Sequence, residues 1–248
     1  MGSTTMAKMI SDAFQNSDTI GKIIVLLLLV FSFWVWEIMI LKAISVAGIR
    51  KAVKRFNRLY AEHDKSPLKL AVNLRACTLD GPLGEICKVG LNSLIVALGL
   101  PENERNSLFV NNILPRKLTP EELDKIRSNM NQAMNSQQLQ MEDKLAALGS
   151  LTSISPMFGL FGTVWGVMAT FIGIVNNGGR PDIQAIAPGI SGALLTTVAG
   201  LAVAIPSLCG NNWIISHIQT TDIEMDSFIE EFITSLNVSK VANAQQEA

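Results

Sequence analysis

ISPMFGLFGTVWGVMATFIGIV, residues 154–175, contains no charged side chain. Small or hydroxyl residues recur through it at Ser155, Gly159, Gly162, Thr163, Gly166, Thr170 and Gly173. Steps of three and four place them on one face of a helix, and Phe158, Phe161, Trp165, Met168 and Ile172 largely fall elsewhere. A solvated helix does not leave so many turns uncharged. A membrane helix with a small, weakly polar stripe is suited to close packing or to lining a narrow path.

A second stretch matches it. Residues 188–211, PGISGALLTTVAGLAVAIPSLCGN, repeat the stripe at Ala193, Thr197, Gly200, Ala204 and Ser207, with Thr196 beside it. The two stripes are expected to face each other or a shared lumen. Gly159, Gly162, Gly166 and Gly200 fit helix packing. The threonines ask for more, because a buried hydroxyl needs a partner: each other, a backbone carbonyl or water.

The whole chain fits this reading. Its 248 residues are 48% hydrophobic and only 17% charged, with positive mean hydropathy. That suits an integral membrane protein with a sizeable aqueous part. A net charge of −1 gives no basic field for nucleic acid. Cys77, Cys87 and Cys209 lack paired or metal-type spacing, and His63 and His217 join no acidic cluster, so neither disulfides nor a metal site is expected.

Ile23–Leu41 carries a single charge, Glu37, and as a helix of about 28 Å it covers a bilayer core. Glu37 suits an interfacial carboxylate paired with Lys42 or a neighbouring chain; the other reading is a proton-handling group. Lys42, Arg50, Lys51, Lys54, Arg55 and Arg58 follow the span, against Lys8 and Lys22 before it. The positive-inside rule therefore places the N-terminus outside and the chain from Lys42 inside, its basic segment near lipid headgroups.

From Ala43 to Lys144 the sequence is soluble in character and helical. Its breakers cluster at Ser66-Pro67, Asp80-Gly81-Pro82, Leu100-Pro101 and Leu114-Pro115. Thr119, Pro120 and Glu122 spell a helix start with a capping box. The pattern beyond has no Gly or Pro before Gly149, so this helix is expected to continue unbroken into the second span. The uncharged runs from Lys144 to Arg180 and from Asp182 to Asp222 exceed the roughly 20 residues a crossing needs. Pro188 should open the third span and Pro206 should kink it. Met225, Phe228, Ile229, Phe232, Ile233 and Leu236 then form an apolar face expected to pack on the 43–144 region, and residues 241–248 read as disordered.

The expected fold is an all-α membrane protein with three transmembrane helices and long cytoplasmic helical extensions. A periplasmic N-terminal segment covers 1–19, and the spans cover 20–42, 145–175 and 188–218. The cytoplasmic helical domain is 43–144, the periplasmic loop 176–187, and the C-terminal helix and tail 219–248.

No phosphate loop or dinucleotide fingerprint is present. Gly189-Ile190-Ser191-Gly192 has the G-x-S-G form of intramembrane serine proteases. Its one histidine candidate, His217, lies about 39 Å further along the same helix. The chain is not read as an enzyme and calls for no cofactor. The second and third spans also lack Asp, Glu, Lys and Arg at membrane depth. A proton carrier there must come from a partner helix, or from Glu37.

LGSLTSISPMFGLFGTVWGVM (Leu148–Met168) and IAPGISGALLTTVAGLAVAIP (Ile186–Pro206) resemble the TolQ/ExbB/MotA family of proton-driven motor subunits. The resemblance covers most of the chain. Ser153-Ile154-Ser155-Pro156 and Met225–Phe232 look more like its TolQ branch than its ExbB branch, and three spans differ from the four of flagellar members. It implies an all-helical homo-pentamer around a dimer of TolR/ExbD-like single-span partners, each bringing an essential aspartate. It also implies a TolA/TonB-like periplasm-spanning protein and a place in the bacterial inner membrane. By family position Thr163 and Thr197 are the pore threonines facing that aspartate, with Thr196 beside them. The family usually has a glutamate where this chain has Gly192.

Three roles follow. The first is a stator subunit of a Tol–Pal-type motor serving outer-membrane integrity and cell division. The second is an ExbB-like subunit energising TonB-dependent outer-membrane uptake. The third is a membrane scaffold that does not conduct.

Overall fold

The computed structural model describes residues 2–63, 66, 68–70, 80–99, 114–176 and 183–238. Their principal elements are helices: α1 (Gly2–Asn16), α2 (Thr19–Glu62), α3 (Pro82–Leu98), α4 (Pro120–Glu142), α5 (Leu145–Asn176) and α6 (Ile183–Val238). No β-strand occurs among the described residues. The apolar runs of α2, α5 and α6 are long enough to cross a membrane. Contacts divide the chain into two units, Met1–Lys42 with Lys144–Ile214, and Ala43–Asp143 with Ile215–Ala248.

The first unit is built on the apolar part of α2 and the seam between α5 and α6. Asp18 starts α2 by accepting the Gly21 N–H at 2.8 Å, an N-cap bond that fixes the corner with α1. Ile24, Leu28, Val35 and Ile38 form the buried stripe of α2 in this unit, while Phe33, Trp34 and Leu41 are exposed. Those exposed side chains suit a surface solvated by lipid rather than water.

In the second unit, α3 begins after Gly81, whose φ of 108° requires glycine, and ends on Gly99 at φ 63°. The expected capping box at α4 is present: Glu122 N–H bonds the Thr119 hydroxyl, and the Glu122 carboxylate returns to the Thr119 N–H. The tail's apolar face is buried at Met225, Phe228, Ile229, Phe232, Ile233 and Leu236. Phe228 meets Phe56 edge-on at 5.0 Å and Tyr60 at 5.3 Å. Gly90 of α3 admits Met130 and Phe232 so closely that an added Cβ would lie 2.8 Å from the Met130 sulfur.

Two helix boundaries differ from the sequence reading. The helix from Pro120 stops at Glu142; Asp143 turns extended (ψ 137°) and Lys144 is left-handed at φ 63°. No Gly or Pro marks this break, so the sequence pattern passed over it. The break also coincides with the division between the units. The second difference is that α6 begins at Ile183, leaving Pro188 inside the helix rather than at its start. One proline removes one backbone donor, and a packed membrane helix tolerates that. The rest of the expected loop, 177–182, lies outside the described residues, as do Pro67, Leu100, Pro101 and 241–248.

Candidate functional site

Glycine spacing brings α5 and α6 together. A Cβ added at Gly159 would sit 3.0 Å from the Thr197 Cα, and one at Gly200 would sit 2.7 Å from the Ser155 carbonyl oxygen. At Gly166 it would meet the Ala193 Cβ at 2.6 Å, and at Gly162 it would strike the Thr196 side chain. Backbone-to-backbone contact is possible at these positions because no side chain intervenes. Gly173 is different: among the described residues, nothing beyond its own stretch of helix lies within 4 Å of its Cβ position.

The contact holds three threonine hydroxyls around one carbonyl. The Gly159 oxygen lies 3.0 Å from the Thr196 hydroxyl and 3.0 Å from the Thr197 hydroxyl. Thr163 Oγ1 donates to the Leu160 carbonyl at 2.7 Å and lies 3.2 Å from Thr197 Oγ1. Each hydroxyl has one proton and two lone pairs. With the Thr163 proton on Leu160, Thr197 can give its one proton to the Gly159 carbonyl or to Thr163, and Thr163 can only accept. The half-buried Thr163–Thr197 pair therefore keeps unused lone pairs rather than unused protons.

Thr196 is placed otherwise. It is wholly buried inside the seam, its hydroxyl 2.6 Å from the Ala193 carbonyl and 3.0 Å from that of Gly159. Within the chain it packs under Gly162 and leaves no open side. Ser155 and Ser207, also fully buried, bond the carbonyls of Leu151 and Val203. Glu37 is exposed on α2 and belongs to no part of this cluster.

The corner at Asp18 was not legible as a site. Its second carboxylate oxygen accepts the Trp165 indole N–H at 2.8 Å, tying the start of α2 to α5. Gly192 lies against the same corner: an added Cβ would come within 2.8 Å of the Ser17 Cα and 3.1 Å of the Ala13 carbonyl. Glycine at 192 thus admits the α1–α2 corner, and a glutamate there would have to displace it.

The described residues hold no cluster of His, Cys, Asp and Glu suited to a metal ion. The arrangement is a narrow, uncharged seam with a hydroxyl pair on its side, which can accept or pass a hydrogen bond.

Comparisons with known proteins agree with this geometry. Residues 101–227 match the MotA/TolQ/ExbB proton channel family. The chain is 28% identical over 228 residues to the Tol-Pal system protein TolQ of Haemophilus influenzae, covering 91% of this chain and 92% of the relative. It is 32% identical over 204 residues to the biopolymer transport protein ExbB of Neisseria meningitidis serogroup A, covering 81% and 84%. Against the ExbB of Salmonella typhimurium, identity rises to 49% over 61 residues, 25% of each chain. A hydroxyl-lined glycine seam in a three-span helical chain, matched over half its length by the family and over most of it by these relatives, has one reading: this protein belongs to the MotA/TolQ/ExbB proton channel family.

Proposed function

We propose that this chain is the proton-channel subunit of a Tol–Pal-type motor in the bacterial inner membrane, its N-terminus periplasmic and its C-terminus cytoplasmic. In this reading several copies, a pentamer by the family resemblance, surround a TolR/ExbD-like pair of single-span helices. Proton flow then moves a TolA/TonB-like partner that reaches the outer membrane. The observation that carries it is the Thr163–Thr197 hydroxyl pair at 3.2 Å between helices with no charged side chain at membrane depth.

The chemistry follows from the lone pairs. A carboxylate entering a dry seam has its pKa raised by desolvation and takes up a proton. The neutral acid then has an O–H to donate, and the threonine pair offers acceptors. Release requires the hydroxyls to rotate from backbone carbonyls toward the carboxylate, where they stabilise the charged form. The pair thereby serves both protonation states of a partner's aspartate, while Thr196, Gly159, Gly162, Gly166 and Gly200 hold the helices at contact distance. Glu37, exposed on α2, is left to an interfacial role.

The ExbB-like role is the second reading, favoured by the higher identity to the Neisseria ExbB. Complementation separates the two: rescue of a tolQ-type envelope defect supports the first, and rescue of TonB-dependent uptake alone supports the second. The double variant Thr163→Val/Thr197→Val preserves shape and removes both hydroxyls. It should abolish proton-driven complementation while leaving oligomer size unchanged. Full activity in that variant overturns the pore assignment and leaves a non-conducting scaffold.

A further inference from the structure

Glu37 takes no part in the threonine cluster, yet it is the one charged side chain between Lys22 and Lys42. Its place on α2 is about 7–8 Å inside the level of Lys42. The side chain is exposed, and it makes no hydrogen bond or ion pair among the described residues. The pairing with Lys42 expected from the sequence is therefore absent there.

The surface around Glu37 is a helix face without a neighbour. Val30, Phe33, Trp34, Glu37 and Leu41 recur at helical spacing and are all exposed, while the buried stripe of Ile24, Leu28, Val35 and Ile38 faces away from them. Trp34 adds a second polar group. Its indole N–H is also without a partner among the described residues, and it sits about 12 Å inside Lys42 rather than at the headgroups where tryptophans gather. A carboxyl group that needs donors and an indole that needs an acceptor thus stand one turn apart. Hydrocarbon meets neither need, whereas a second helix can meet both.

A second copy of this chain does not bring the cation. Its spans hold no Lys or Arg between 22 and 42, 144 and 180, or 182 and 222. In copies inserted the same way, Lys42 and Lys144 stand at the cytoplasmic ends, nearer to water than Glu37. We infer that Glu37 makes this face of α2 selective for a single membrane-spanning helix of a different protein, one that carries a basic side chain at the depth of Glu37. The Trp34 N–H bonds an acceptor on that helix one turn further in, and Phe33 and Leu41 pack around the two polar contacts. Charge complementarity carries the choice. Opposite an apolar residue the carboxyl group stays unmatched, and opposite an acidic one it is repelled. The inference requires only that α2 cross the membrane, and it does not rest on the threonine pair.

The test co-expresses the full-length chain with a tagged probe, a Leu/Ala membrane-spanning helix whose N-terminus is cytoplasmic. One probe has Arg at the depth of Glu37, a second has Leu there, and a third has its Arg moved into the other leaflet. After solubilisation in mild detergent, the native chain should retain the first probe about tenfold or more above the other two. Glu37→Leu should remove that preference with oligomer size unchanged. Glu37→Arg should transfer it to a probe with Asp at the same depth. Equal retention of the Arg and Leu probes by the native chain overturns the proposal and leaves Glu37 to the lipid. A different, discrete oligomer size in Glu37→Leu also overturns it, by assigning the carboxyl group to a contact between copies. The comparison of probes on the native chain needs no variant to fold, and loss of the threonine assignment would leave it standing.

Discussion

Thr163 and Thr197 differ from Ser155, Thr196 and Ser207 in what remains after their intrachain bonds. Ser155, Thr196 and Ser207 are sealed in helix contact, whereas this pair is half-buried and keeps acceptor capacity on one side. Its glycine supports are testable one at a time. Gly166→Leu drives a side chain into Ala193 and should prevent assembly, while Phe171→Leu, at a position 62% exposed, should be tolerated. Size-exclusion of the purified oligomers distinguishes the two. Gly192→Glu should displace the α1–α2 corner and break the Asp18–Trp165 bond, giving protease sensitivity near Ser17 that Gly192→Ala shows more weakly. At this scale the sequence was legible where spacing carries the signal, as it does at Gly159, Gly162, Gly166, Thr197 and Gly200. The Asp18–Trp165 bond was not legible, since it joins residues 147 apart that share no pattern. Thr196 and Thr197 are adjacent in sequence, and only the crossing of the helices separates a sealed hydroxyl from a half-open one.

Among the elements, α4 shows how local chemistry announces a boundary. Thr119, Pro120 and Glu122 state its start, and Thr119→Ala should cost about 1 kcal/mol of helix stability, measurable in a denaturant melt. The Arg116 guanidinium, then the Thr119 N–H, hold the Glu122 carboxyl down at about 2, against an ordinary 4.5. A lowered folded pKa means the stabilisation is complete above pH 4.5 and is lost as pH falls toward 2. Amides at the start of α4 should lose hydrogen-exchange protection across that window, and Glu122→Gln should remove the dependence. The other end of α4 carried no such signal. Asp143 and Lys144 are ordinary helix residues in sequence, and the break between them becomes visible only where the contacts change partner. Within α3, burial pushes the Cys87 thiol up to about 12. In a Cys77→Ser/Cys209→Ser chain, Cys87 should resist maleimide at pH 8 until the unit is unfolded.

For the molecule as a whole, the expected insertion puts Lys8 outside and Asn103 and Ala248 inside. Tags at the three positions should label from the periplasm, the cytoplasm and the cytoplasm respectively; a periplasmic Asn103 tag overturns the arrangement. The division into an apolar and a charged unit was legible because charge is absent from two long runs and dense elsewhere. How each unit closes was less so, because contacts such as Gly90 with Met130 and Phe232 depend on helices far apart in the chain. The seam between α5 and α6 also bears on biosynthesis. Each helix exposes glycines and hydroxyls that lipid solvates poorly, and each meets those needs on the other, Thr196 and Thr197 bonding the Gly159 carbonyl across the gap. The pair is therefore suited to leaving the translocation machinery as a hairpin, with α5 waiting at its lateral gate until α6 arrives to serve as its solvent.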